Sequence, residues 1–469
     1  MNKKYKKLFS NTTIFFVSEF ASKILVFLLL PLYTNILTTS EYGISDLITT
    51  TVTLLIPIFT LSMNQAVLRF AMEYKDSQQS VISYASRIVF LGTITLMLFY
   101  PLLVNVFNIE RVYIVLFYVL FLTSSYDGIL SYFARGIDKT FQVGISGFLK
   151  TAVTVGLNIV MLIVLKLSVV GYILSTVFAH LASVIYLGIS CGMGSYLVSG
   201  KKEPKLAMEM LKYSIPLIPN SLSWWLSNYA NRYIILFYLG TSVQGMYSAA
   251  SKIPALLTTV QSIFINAWQL SAIGEYNTPD RDEFFSKIYR LYDFVMVVGA
   301  SVIIGFAKPI AMILFSVQYF DAWKAVPFLL ISVVFGAMSG HVGTIFAASM
   351  RTQAMFVSTL IGGVTAVIGC FLLVPAMDMA GAALSTAIAN VVIWLIRLIR
   401  SRNYAHIQIS WVKTISIYLL LFVQAFSYIY FEGMVGYLVS AFVLIIILFV
   451  NHNLISEIYS RSILFFVKI

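Results

Sequence analysis

The sequence predicts an all-α polytopic membrane protein of about fourteen transmembrane helices, with two parallel-repeat six-helix lobes around a central cavity and two extra C-terminal helices. Three observations predict it: the composition, a regular succession of bilayer-length apolar runs, and internal similarity between the two halves. Of 469 residues, 59% are hydrophobic and 11% charged, with a mean hydropathy of +0.90. Soluble domains carry about one quarter charged residues. Apolar runs of about 20 residues, separated by short polar breaks, match the hydrocarbon thickness that an α-helix must cross. The longest polar breaks, near 199–209 and 275–285, are too short to fold alone, so function must lie among the helices.

The first run extends from about Thr12 to Leu37. Lys3, Lys4, Lys6 and Lys7 precede it and place the N-terminus in the cytoplasm. Its start resembles a signal peptide, but Glu19 and Lys23 interrupt the apolar segment and no small-residue cleavage site follows, so it reads as an uncleaved helix. Basic residues then recur in alternate breaks: Arg69 and Lys75, Arg135 and Lys139, Lys201, Lys202 and Lys205, Arg281 and Lys287, Arg351, and finally Arg397, Arg400 and Arg402. The formal charge of +12 therefore follows from the positive-inside rule rather than from nucleic-acid binding. An even number of spans returns the C-terminus to the cytoplasm. Cys191 and Cys370 lie in apolar runs of different halves, so neither a disulfide framework nor a metal-ligand cluster is expected.

The halves repeat. Thr39-Ser-Glu-Tyr-Gly43 follows the first run as Thr241-Ser-Val-Gln-Gly245 follows the seventh. Gly171-Tyr-Ile-Leu-Ser-Thr176 opens the sixth as Gly381-Ala-Ala-Leu-Ser-Thr386 opens the twelfth. Six intervening spans give both copies the same orientation, with a substrate site expected between them. The expected organisation is an N-terminal lobe over 1–197, a C-terminal lobe over 198–405 and an added helix pair over 406–469. Pro31 and Pro254, each near an intramembrane lysine, are hinge candidates, because proline bends a helix and frees a carbonyl.

The seventh and eighth runs carry unusual polarity. Asn220, Ser223, Ser227 and Asn231 recur at helical spacing, and Trp224, Asn228 and Arg232 step by four beside them. Such a stripe reads as the wall of a polar chamber. Arg232 and, on the next run, Lys252 sit where a charge at bilayer depth costs roughly 2.5–3.5 kcal/mol, which calls for protein or water around them.

The segments PLYTNILTTSEYGISDL (31–47), AVLRF, YFARGIDKT (132–140), YSIPLIPNSLSWW, NRYIILFYLGTSVQGMYSAASK and YFDAW (319–323) resemble the polysaccharide-transport branch of the multidrug/oligosaccharidyl-lipid/polysaccharide exporter superfamily. The resemblance extends over nearly the whole chain. It implies a flippase for undecaprenyl-pyrophosphate-linked oligosaccharide, such as an O-antigen or capsule repeat unit, in a bacterial inner membrane. Its partners would be that lipid-linked oligosaccharide, the bilayer and a polysaccharide polymerase or export machinery.

A pyrophosphate linkage is best met by fixed cations, and Lys23, Arg232 and Lys252 are the buried candidates. The repeat pairs Lys23 with Trp225 and Arg232 with Leu30, so the cations are not duplicated. Each has a second reading. Lys23 follows Glu19 by four residues, the favourable order for an ion pair, and Arg232 can snorkel towards head groups. Trp224 and Asn228 share the arginine's row and suit a sugar ring, although core packing serves an aromatic equally well. Glu19, Asp127 and Asp293 fall in apolar runs and are candidates to bind a coupling H+ or Na+. The alternative is a paired structural carboxylate, and Asp293 lies three residues from Arg290. His180 and His341 fit interhelical hydrogen bonds better than proton relays. No cofactor is expected. The competing readings are a lipid II flippase, a small-molecule exporter of the same superfamily and a membrane-embedded polysaccharide polymerase; the last lacks its large polar loop and any clustered acid pair.

Overall fold

The computed structural model describes residues 25, 27–105, 110–192, 203–276, 278–349, 353–431 and 433–456. Glu19 and Lys23 lie outside the described residues. Among those described, nine helical stretches are long and apolar enough to cross a membrane, with shorter apolar helices at Pro254–Ile265 and Met434–Val450. No strand occurs among them. The chain divides into two compact units, Met1–Trp225 and Leu226–Ile469.

The first unit contains α1 (Leu30–Ile36), α2 (Thr39–Phe59), α3 (Met63–Glu73), α4 (Gln78–Met97), α5 (Tyr100–Asn105), α6 (Arg111–Gly136), α7 (Thr140–Asn158), α8 (Ser168–Ser190) and α9 (Pro204–Ser214). The division falls inside α10 (Ile218–Ala250). The second unit holds α11 (Pro254–Glu275), α12 (Arg281–Gly305), α13 (Ala307–Leu314), a 3-10 segment (Val317–Ala325), α14 (Val326–Ala348), α15 (Gln353–Ser401), α16 (Trp411–Tyr430) and α17 (Met434–Val450).

Two of these helices are broken rods. At 1.5 Å per residue the 49 residues of α15 would reach about 74 Å, more than twice the hydrocarbon core, so the chain must turn back within it. It does so at Asp378 (φ 50°, ψ −138°). In α10 the break is Gly240 (φ 79°, ψ 179°), a conformation that only glycine adopts without strain. Pro31 and Pro254 both stand at the first turn of a helix that follows an interruption, where the missing N–H costs nothing. Lys252 lies inside the interruption before Pro254.

The repeated glycines close helix hairpins. A Cβ on Gly381 would stand 2.3 Å from the Leu373 carbonyl oxygen, and one on Gly171 would stand 3.1 Å from the Cβ atoms of Met161 and Leu167 and 3.2 Å from the Met161 carbonyl oxygen. The first approach is an overlap that forces the backbone apart, and the second asks for a shift of only a few tenths of an ångström. Gly381→Ala is therefore expected to lower stability by about 1–3 kcal/mol and Gly171→Ala by less, read from thermal unfolding of the purified variants.

In the first unit two apolar clusters lie along α6. One joins Ile114, Leu116, Phe117 and Phe121 to Val52 and Ile173; the other joins Ile129, Leu130, Phe133 and Ala134 to α3 and α4. Asp127 sits between them. Helix α9, beyond the expected lobe boundary at 197/198, packs into the second cluster through Leu206 and Met210. Glu203 accepts hydrogen bonds from Ser77 at 3.0 Å and Ser80 at 3.1 Å, and Glu209 accepts from Tyr74 at 3.1 Å. This short helix is amphipathic, so its apolar side needs cover and finds it there.

In the second unit, polar rungs fasten α16 to α12 and the residues after it. Tyr418 donates to Asp293 at 2.6 Å. Ser301 and Gln424 exchange two bonds of 2.9 Å, and the Lys308 N–H donates to the Tyr428 hydroxyl at 3.2 Å. His341 is buried in a ring stack, 4.6 Å from Trp268.

Candidate functional site

The polar stripe of α10 resolves into two rows. Ser223, Ser227 and Asn231 are buried. Ser223 donates to the Pro219 carbonyl at 2.8 Å in its own helix, and Ser227 donates to the Thr359 carbonyl at 3.2 Å. Asn231 donates to the Tyr247 hydroxyl at 2.6 Å and to Thr386 at 3.1 Å. Ser227 and Asn231 thus join α10 to α15. The second row, Asn220, Trp224 and Asn228, is exposed, with Trp224 at 54%. Trp225 turns the other way and donates to the Thr50 carbonyl of α2 at 3.1 Å.

Arg232 ends the exposed row yet is itself buried, at 7%. One guanidinium nitrogen donates to the Asn228 carbonyl at 3.2 Å. The carbon of the group lies 4.8 Å from the centre of the Tyr229 ring and 6.0 Å from that of Tyr247. The negative faces of those rings stabilise a cation and fix its plane. Lys252 is half-buried, and its backbone N–H is held by Ala249 at 3.1 Å.

The two described acids are in separate units with separate partners. Asp127, 4% exposed, takes Lys150 Nζ and His180 Nδ1 on one oxygen, each at 2.8 Å, and Ser183 on the other. These contacts tie α6, α7 and α8 in the band between the two apolar clusters. Asp293 is bonded by Tyr418 rather than by Arg290. His180 thus makes the interhelical hydrogen bond expected of it, while His341 packs as an aromatic ring.

Two cations escape sequence reasoning. Lys150 stands inside the apolar stretch FLKTAV, the same signal that marks Lys252. Arg397 is expected in a cytoplasmic break, but α15 runs through to Ser401 and the guanidinium is buried. It donates to Ser339 O, Ser358 Oγ and Thr359 Oγ1, each at 3.0 Å. Gly343 leaves room for it, since a Cβ there would lie 3.1 Å from an Arg397 nitrogen. A buried arginine held by neutral acceptors looks like a loop residue in sequence because its partners are 38 to 58 positions away.

Three solved structures share this arrangement of helices. A lipid II flippase, MurJ, in an inward closed conformation matches with a TM-score of 0.70 at 13% identity, over 96% of this chain and 100% of that one. An inward-facing multidrug resistance MATE family transporter matches with a TM-score of 0.61 at 13% identity, over 81% and 97%. A transporter from Pyrococcus furiosus, described by the reversed polarity of its binding pocket, matches with a TM-score of 0.61 at 12% identity, over 84% and 95%. The chain thus shares the fold of these flippase and transporter structures. Residues 8–273, more than half of the sequence, match the model for polysaccharide biosynthesis proteins, and the chain belongs to that family. No curated protein matches it in sequence.

Proposed function

We propose that the chain is a flippase that carries undecaprenyl-pyrophosphate-linked oligosaccharide repeat units from the cytoplasmic to the outer leaflet of a bacterial inner membrane. Two lobes, 1–197 and 198–405, alternate access, and 406–469 adds a helix pair. The observation that carries the proposal is Arg232, a guanidinium buried in α10 and framed by Tyr229 and Tyr247. A charged head group has to cross about 30 Å of hydrocarbon, and a planar cation is the group best suited to meet a pyrophosphate there. Trp224 and Asn228, exposed on the same helix, offer a ring face and an amide to the sugar that follows it. The family membership supports a polysaccharide precursor as cargo. Lys252 is a second cation for the same anion. Asp127, whose two oxygens accept from Lys150, His180 and Ser183, is a candidate site for the coupling H+ or Na+.

The test is head-group translocation of undecaprenyl-pyrophosphate oligosaccharides in proteoliposomes, with lipid II as a parallel substrate. Arg232→Gln is expected to reduce translocation at least about tenfold while the protein stays folded, the loss of one charge-assisted contact of about 1.5–3 kcal/mol. Equal rates for both proteins would remove Arg232 from the site. Translocation of lipid II alone would overturn the assigned cargo.

A further inference from the structure

One cluster of cations is used by none of the above. A cavity of about 330 Å³ opens in the second unit where α15 gives way to α16, lined by Arg290, Arg402, His406, Gln408, Ser410 and Trp411. A smaller compartment of about 50 Å³ shares Arg290 and Ser410 and reaches Lys413 and Asp293. Arg290 and Arg402, both exposed, and half-buried Lys413 thus line two adjoining compartments that hold one carboxylate, and that carboxylate is already bonded by Tyr418. Among the described residues neither Arg290 nor His406 has a hydrogen-bond or salt-bridge partner, and Arg402 has only the Trp411 ring, 5.9 Å from its guanidinium carbon. The cavity also receives the N-terminus of α16, a 20-residue helix whose cap residue Ser410 makes no side-chain cap bond and whose first turn holds no acid. Unpaired N–H groups at a helix start carry about half a positive charge and bind anions. Cations and dipole converge on one volume.

The surroundings point to a lipid as the source of the anion. Below the cavity, Val412, Ile415, Leu419 and Val423 are 82%, 47%, 59% and 53% exposed, at spacings of three and four. They form one outward apolar stripe along a membrane helix. Trp411 stands where that stripe meets the charged cavity, the usual place of an interfacial aromatic. A molecule that satisfies both features has an anionic head and acyl chains. We propose that this cavity is a binding site for the phosphoryl head group of an anionic phospholipid, with its acyl chains along the outer face of α16. Arg290 and Arg402 clamp the phosphoryl oxygens, the α16 N-terminus completes the cradle, and the lipid is a resident rather than the cargo.

The test uses the full chain in detergent, re-lipidated with phosphatidylglycerol or phosphatidylcholine, and counts retained lipids by native mass spectrometry. The unmodified chain is expected to retain phosphatidylglycerol preferentially. The paired substitution Arg290→Gln with Arg402→Gln is expected to reduce that retention about tenfold without changing phosphatidylcholine retention. Lys205→Gln, which removes an exposed cation elsewhere, is expected to leave both unchanged. Thermal unfolding of each variant separates lost binding from lost folding. Equal phosphatidylglycerol retention by the folded double variant overturns the site. Displacement of the lipid by millimolar inorganic phosphate overturns the lipid as ligand and assigns the cavity to the free anion.

Discussion

Replacing Arg397 by alanine is expected to cost about 3–5 kcal/mol of unfolding free energy, which sums a core cavity and three lost bonds to a charged donor. From the second segment of α15 the guanidinium reaches three acceptors at once, one on α14 and two on the first segment of α15. Its fork geometry suits that task, and a lysine ammonium does not. Arg397→Lys is therefore expected to recover less than half of the loss, because a compact ammonium is left buried with too few acceptors. Thermal unfolding of the two variants beside the unmodified chain checks both statements. A melting temperature unchanged by alanine would mean that the bonds only offset the cost of burying the charge. The same residue connects to the proposed site, since Thr359, which accepts from Arg397, also accepts from Ser227 through its carbonyl. The arginine thus helps to hold the second segment of α15, α14 and the helix that bears Arg232 as one body.

Asp127→Leu is expected to cost about 2–4 kcal/mol, since it leaves Lys150 and His180 aimed into the interior of the first unit without their acceptor. The estimate stays below that for a fully buried pair because the Lys150 side chain is 35% exposed. A second substitution, Lys150→Met, is expected to restore part of the loss. A double-mutant cycle on unfolding then reports a coupling of at least about 1 kcal/mol between positions 127 and 150. Additive effects would show that the ion pair contributes nothing. If H+ couples at this site, Asp127→Asn is expected to slow translocation driven by a proton gradient far more than it lowers the melting temperature.

The parts of the fold that were legible in sequence depend on local chemistry. Apolar runs of bilayer length, Gly240 at the end of the seventh run, Gly381 at the head of the twelfth and the two prolines each act on their own few residues, and a sequence displays them directly. The polar row on α10 was legible as a row. Which way it faced was not, because Ser227 and Asn231 find Thr359 and Thr386 more than 130 positions away. The ties made by Arg397 and by Asp127 stayed hidden for the same reason. Positive-inside counting treats every arginine near a break as solvated, so it misplaced the one that turns inward. The cavity beside α16 was equally invisible, since Arg290 and Arg402 lie far apart in sequence and line one volume only in the folded second unit.

The rungs that join α12 to α16 carry a consequence for the order in which the chain is made. Asp293 leaves the ribosome 125 residues ahead of Tyr418, which donates to it. At about 5–20 residues per second, that interval lasts about 6–25 s. Throughout it a membrane-embedded carboxylate, together with Ser301, has no side chain of α16 to bond. Helix α16 thus supplies the partners of these groups only after α12 to α15 have been made. A chain interrupted by a premature stop near position 405 would not be a shorter transporter. It would be a second unit still waiting for its donors, with polar groups facing lipid where quality-control proteases can recognise them.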